Sequence, residues 1–162
     1  MRKKNEFSQR NDYMVGVTSQ GNEFYFDKDD FESVEKHCWF TDDKGYVRAK
    51  INYKKVALHR FLMKPPDDMV IDHISHNTLD NRKTNLRICT RQQNQCNQKK
   101  QNRNTSSIFK GVFLDKARNK WQATIMLNAK SIFLGRFNTE EEASKEYNRA
   151  ARFYFGEYAF PN

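Results

Sequence analysis

The sequence predicts an α+β protein built from several small antiparallel sheets and short helices. Three observations predict it. Short apolar runs alternate with polar residues and are bounded by Asn, Asp and Gly, the mark of half-buried strands joined by tight turns. Two capping-box spacings, Thr90 with Gln93 and Thr139 with Glu142, each open a helical stretch. The chain of 162 residues is only 37% hydrophobic yet 14% aromatic, which favours small cores built on rings over one large aliphatic core.

Taken in order, residues Met1 to Arg10 are charged and polar, and a frayed start is expected. Tyr13–Val17 and Glu23–Phe26 read as a hairpin around Gln20-Gly21-Asn22. Asp27 is placed to cap a short helix running through Phe31, Val34 and Glu35. Cys38–Phe40 is strand-like, Asp42–Gly45 is a turn, and Tyr46–Ile51 alternates as a half-buried strand. Val56–Met63 enters a short helix that Pro65-Pro66 must end.

The stretch from Val70 to Gln98 holds the chemistry. Met69-Val70-Ile71 ends on Asp72 and His73, a polar loop follows, and Leu86 to Ile88 forms a second short apolar run before the Thr90 helix. The predicted order is strand, loop, strand, helix. Asn94 and Asn97 are three apart and share a helical face. Asp and Asn offer the oxygen donors that magnesium-like cations take, often only one or two from the protein. An imidazole with an ordinary pKa near 6.5 suits a general base at neutral pH.

From Leu58-His59-Arg60 through Asp72-His73, Leu79-Asp80-Asn81-Arg82 and Asn85-Leu86-Arg87 to Asn94 and Asn97, the chain resembles the HNH endonucleases, in particular the homing-type enzymes of phages and bacterial mobile elements. The resemblance implies a ββα-metal nuclease module. It implies His73 as the base that activates water, Asp72 and Asn94 as holders of one divalent metal (Mg²⁺, or Mn²⁺), and Asn85 as the brace of the loop. Asn94 stands where other members carry a His, and Ser75-His76 stands where a Gly-containing turn is common.

After Asp80 no acidic residue occurs until Asp115, whereas Arg82, Lys83, Arg87, Arg91, Lys99, Lys100, Arg103 and Lys110 fall in that interval. Such a stretch fits duplex DNA, and with His59 these cations (Lys83 aside) are DNA-contact candidates. Beyond it, Phe109–Phe113, Lys120–Met126 and Ser131–Phe137 read as three strands, and Ala143, Tyr147, Ala150, Ala151 and Tyr154 form an apolar helical stripe. This pattern resembles the Apetala/ethylene-response-factor DNA-binding domain, with Phe113, Thr124 and Met126 where charged residues are usual there. Trp121, Ile125, Leu134, Phe137 and Tyr147 are expected in its core. Lys110, Lys120, Gln122, Thr124, Met126 and Phe133 are expected on a DNA face, with Arg118, Lys130 and Arg136 on phosphates.

Composition narrows the class. A net charge of +9 points to a polyanionic partner. Three cysteines without a CxxC spacing argue against a disulfide scaffold and a structural zinc site. The absence of a signal-peptide pattern or long apolar run leads to the expectation of a cytoplasmic protein, and the homing-type resemblance implies a bacterial host cell with the chain encoded by a phage or mobile element. The expected organisation is an N-terminal β-rich subdomain (1–64), a nuclease core (65–100), a basic Asn/Gln-rich linker (101–107) and an Apetala-like domain (108–162). The expected protein is a monomeric, site-specific endonuclease with a divalent metal and no small-molecule cofactor. A single site would nick one strand per engagement.

Overall fold

The computed structural model describes residues 4–98, 100, 106–160 and 162. The chain forms two compact units, Met1–Arg91 and Gln92–Asn162, each with its own mixture of helix and antiparallel sheet.

The first unit starts with a three-stranded sheet, β1 (Glu6–Arg10), β2 (Tyr13–Val17) and β3 (Glu23–Asp27), in sequential order. The frayed start expected before Arg10 is instead a strand from Glu6. One aromatic residue accounts for it. Phe7 packs edge-on against Phe24, Phe26 and Phe31 with centroid separations of 6.3, 6.1 and 5.6 Å. Periodicity could not register a strand that presents one large apolar side chain among charges. A short helix α1 (Phe31–Val34) leads to a second three-stranded sheet, β4 (Trp39–Thr41), β5 (Val47–Ile51) and β6 (Lys54–Ala57). Strand β6, whose last two residues Val56 and Ala57 the sequence reading assigned to the start of a helix, pairs with β5 through the two-residue turn Asn52-Tyr53. Both turn residues have positive φ, 46° and 64°, as a type I′ hairpin requires. Helix α2 (Leu58–Met63) ends on Lys64 in the left-handed region, just before the prolines.

Met14, Phe24, Phe26, Val34, Trp39, Val47, Ala49 and Leu58 form the buried core beneath these sheets. Two polar links stitch it together. The Trp39 indole N–H donates to the Val34 carbonyl at 2.8 Å, and the Asn5 amide donates to the carbonyls of Val17 and Trp39 at 2.8 and 2.9 Å. The unit closes with the antiparallel hairpin β7 (Val70–His73) and β8 (Leu86–Cys89). Its long loop is tied to β3: Tyr25 N donates to Leu79 O at 2.9 Å, and Asn81 N donates to Tyr25 O at 2.8 Å. Asp27, expected to cap a helix, instead accepts from the Lys83 backbone N–H at 2.8 Å. The carboxylate found a donor across the fold, and its own helix start is left without a side-chain cap.

Helix α3 (Arg91–Cys96) carries the chain into the second unit, where β9 (Val112–Asp115), β10 (Lys120–Leu127) and β11 (Lys130–Phe137) form a sheet with β10 central. Helix α4 (Glu140–Phe155) covers one face. Its start is a full capping box, with Thr139 Oγ1 accepting from Glu142 N at 3.2 Å and the Glu142 carboxylate accepting from Thr139 N at 3.3 Å. Val112, Ala123, Ile125, Ala143, Tyr147, Ala150 and Ala151 are buried between sheet and helix, with Trp121, Leu134 and Phe137 packed beside them.

Gly111 permits that closeness. Its φ is +71°, and a Cβ there would sit 2.3 Å from the Tyr147 ring and 2.4 Å from the Thr124 carbonyl oxygen. Gly111→Ala is therefore expected to destabilise this unit by about 2 kcal/mol or more, the left-handed backbone accounting for about 1–2 of that. A thermal melt equal to that of the wild type would refute the assignment.

Candidate active site

Strand alternation turns Asp72 and His73 to opposite faces of β7, and each meets a different environment. Asp72 lies directly across from Arg87 in the β7–β8 register. The Arg87 guanidinium donates to Asp72 Oδ2 from Nε at 2.9 Å and from a terminal nitrogen at 2.6 Å. Both side chains are largely buried, with 12% and 7% exposure for Arg87 and Asp72. The two opposite charges thus face each other across the strands, largely shielded from water.

His73 turns toward the sheets of the first unit. Its ring lies edge-on to His59 of α2, with centroids 5.1 Å apart, and 5.9 Å from the ring of Tyr46. Its Nε2 lies 3.5 Å from Asn81 Oδ1, at the outer limit of a hydrogen bond. Burial lowers the His73 pKa below the ordinary imidazole value, against the opposing pull of the Asn81 contact and of Asp72 and Asp80. The ring is therefore neutral at neutral pH and can accept a proton. His59 is driven further, to about 3, by burial and then by the neighbouring His73. Its Nδ1 is buried without a hydrogen-bond partner among the described residues.

The loop between the strands is held by amides. Asn85 is buried; its Oδ1 accepts from Ser75 N at 2.9 Å, and its Nδ2 donates to Asp80 O at 2.8 Å, so one side chain spans the loop. Asn81, fully buried, donates to the Leu79 carbonyl at 3.1 Å while its oxygen faces His73. His76 adopts a left-handed turn conformation, φ 62°, with its N–H on the His73 carbonyl. Asn94 lies half-buried on α3, and Asn97 just beyond the helix is buried in the second unit.

Several cations expected at DNA have protein partners instead. Arg82 pairs with Asp80 at 2.7 Å and stacks over Tyr13 at 4.9 Å; Arg87 is held by Asp72 as described. The Lys110 ammonium donates to the Cys96 and Gln98 carbonyls at 3.0 and 2.9 Å, where it satisfies the C-terminal end of α3. Lys100 donates to the carbonyls of Ser107 and Phe109. Buried acceptors within reach outcompete solvent for a lysine, and sequence cannot show which carbonyls fold toward it. His59 packs on His73 and Tyr46. Arg91, Arg118, Lys120 and Lys130 are exposed, although Lys120 also reaches Asn138 and Arg118 reaches Asp115 at 3.2 Å. Gln122, Thr124, Phe133 and Arg136 are at least partly exposed on the sheet of the second unit. Lys99 and Arg103 lie outside the described residues.

Three features escaped the sequence reading: Asn81 beside the His73 ring, Arg87 as the partner of Asp72, and Tyr46 in the ring cluster. A buried Asn one position before Arg82 gave a weak signal. The pairing of Asp72 with Arg87 follows only from a hairpin register that a long loop leaves open.

No group of three or more His, Cys, Asp and Glu side chains suited to a metal occurs among the described residues. The donor types taken one by one are those a hard cation accepts: Asp72 in the first unit offers a carboxylate, and Asn94 in the second an amide oxygen. Arg87 would compete with such a cation for Asp72. No helix among the described residues is long and apolar enough to cross a membrane.

Comparison with known proteins places this hairpin in a family. A model described as HNH endonuclease matches residues 63–96, which include α2's last residue, β7, β8 and α3. A protein of Acanthamoeba polyphaga mimivirus named as an uncharacterized HNH endonuclease is 36% identical over 140 residues, covering 83% of this chain and 71% of the relative. No solved structure gives a significant match. The matched segment is the hairpin that carries Asp72, His73 and Asn85, the likeness extends over most of both chains, and the chain therefore belongs to the HNH endonuclease family of nucleases.

Proposed function

We propose that the protein is a metal-dependent, site-specific DNA endonuclease of the homing type, acting as a monomer on duplex DNA. The observation that carries this reading is a neutral, walled-in imidazole at His73, next in sequence to the Asp72 carboxylate on the opposite face of β7, on the hairpin that matches the family. Hydrolysing a phosphodiester requires removal of a proton from water and neutralisation of charge on the phosphate and leaving oxygen.

His73 takes the proton from the attacking water. Asn81, His59 and Tyr46 keep its ring oriented, so that the basic nitrogen does not spend entropy finding its place. Asn85 fixes the loop that follows. Asp72 and Asn94 would hold one divalent ion, Mg²⁺ or Mn²⁺, as the resemblance to ββα-metal nucleases implies. When bound, that ion supplies the positive charge that stabilises the phosphate and the departing 3′ oxygen. The three-stranded sheet of the second unit, similar in pattern to the Apetala/ethylene-response-factor domain, anchors the chain on its target. One active site per chain breaks one strand per engagement, leaving a nick.

The Asp72–Arg87 pair is the observation that favours a second reading, a non-catalytic DNA-binding regulator that keeps the HNH scaffold. An arginine already neutralises the acid that the nuclease would offer to its metal. The two readings separate in one assay. Supercoiled plasmid carrying candidate target DNA is incubated with the protein and Mg²⁺ or Mn²⁺, with and without chelator. The nuclease converts it to open circles, and chelator stops the conversion. Salt-sensitive duplex binding with no nicking under either ion would establish the regulator, and nicking that persists in chelator would remove the metal from the mechanism.

A further inference from the structure

The outer face of the β9–β10–β11 sheet, opposite α4, exposes three large apolar side chains. Phe113 is 40%, Met126 59% and Phe133 52% exposed. The register sets them in rows. Phe113, Gln122 and Arg136 lie across one row, Thr124 and Phe133 across the next, and Met126 and Ser131 across the third. Successive rows are two residues apart along a strand, about 7 Å, or about two base-pair rises of a duplex. The pair β10–β11 is narrow enough for the major groove.

The chemistry of these rows is selective. A glutamine amide matches the N6/N7 edge of adenine, and apolar side chains match the 5-methyl group of thymine. Guanine is read mainly by arginine or lysine, and the arginine in the rows is committed elsewhere. Arg136 donates from Nε to Asp115 at 3.1 Å and lies over the Phe133 ring at 5.0 Å. Around the apolar centre stand the exposed cations Lys120 and Lys130, complementary to flanking phosphates, while Arg118, like Arg136, is shared with Asp115. A duplex, rather than another protein, is the occupant this charge rim favours.

We propose that this face reads A·T base pairs in the major groove, with Met126 and Phe133 on thymine methyl groups and Gln122 on adenine. The inference rests on the proposed reading of the second unit as a DNA-contacting module, and the experiment separates failure of one from failure of the other.

The full chain, in chelator so that no strand is cut, is used to select binders from a duplex pool with a randomised centre. Selected duplexes are then resynthesised with deoxyuridine for each thymidine, which removes only the methyl group. Expected are selected sequences with A·T pairs clustered over about four positions, and a three- to fourfold loss of affinity per critical methyl removed. Phe133→Ser and Met126→Ser, both at exposed positions, should each abolish the uracil sensitivity at the thymine it meets and lower affinity for the thymidine duplex by the same three- to fourfold. Selection of G·C pairs, or A·T selection indifferent to uracil, would overturn the inference while leaving DNA binding intact. The second of these outcomes would assign the preference to groove shape. If the protein selects no duplex and instead self-associates through this face, so that Phe133→Ser makes it monomeric, the DNA reading of the module falls as well.

Discussion

Replacing His73 with alanine is expected to lower strand cleavage by about 10²–10⁴-fold while leaving duplex affinity within about twofold. The size follows from the role. A positioned general base contributes about that much to a hydrolysis, and no other imidazole on the same hairpin has the same setting. His76 sits in a turn with a left-handed backbone, and His59, at about 3, is a poorer base than His73 and lies half-buried against it. Because His73 is itself buried, His73→Ala leaves a void beside His59 and Tyr46. His73→Asn, closer in volume, serves as the companion variant. Both should melt cooperatively and bind DNA, and both should fail to nick. Nicking by either at more than a tenth of the wild-type rate would remove His73 from the role of base.

The second large effect is on stability in acid. The folded state holds His59 near 3, whereas an unfolded histidine titrates near 6.5. Between those values the unfolded chain binds a proton that the folded chain refuses, so stability falls as pH falls and is regained as pH rises. The slope from this one group is about 1.4 kcal/mol per pH unit, and His73, also lowered by burial, adds in the same direction. His59→Leu removes the titrating ring and its unpartnered Nδ1. Urea unfolding should show the wild type losing about 1.6 kcal/mol more than this variant between pH 6.5 and pH 5. That interval lies above most carboxylate titrations, so the difference isolates the imidazole. Equal losses in the two proteins would show that His59 is protonated in the fold or open to water.

The local architecture was largely legible from residues a few positions apart. Hairpins such as β2–β3 and β10–β11, the Thr139 capping box and the stop at Pro65-Pro66 depend on turn chemistry and period, which act over short range. The ordered appearance of Asp72-His73, Asn85 and Asn94 marked the segment that the family match later bounded at 63–96. Strands β1 and β6 were missed for a common reason. Their stability comes from a neighbour, the Phe24–Phe26–Phe31 rings in one case and a paired β5 in the other. Propensity carries no record of a partner.

Sequence by itself determined which residue types were present, in what order and with what net charge, and so the reaction class. Tertiary structure alone decided their company. It set Arg87 opposite Asp72, Asn81 and His59 around His73, and Lys100 and Lys110 onto backbone carbonyls in place of solvent. The physical reason is that charge and pKa depend on neighbours within a few ångströms and on burial. In this chain those neighbours are brought together from different strands and loops.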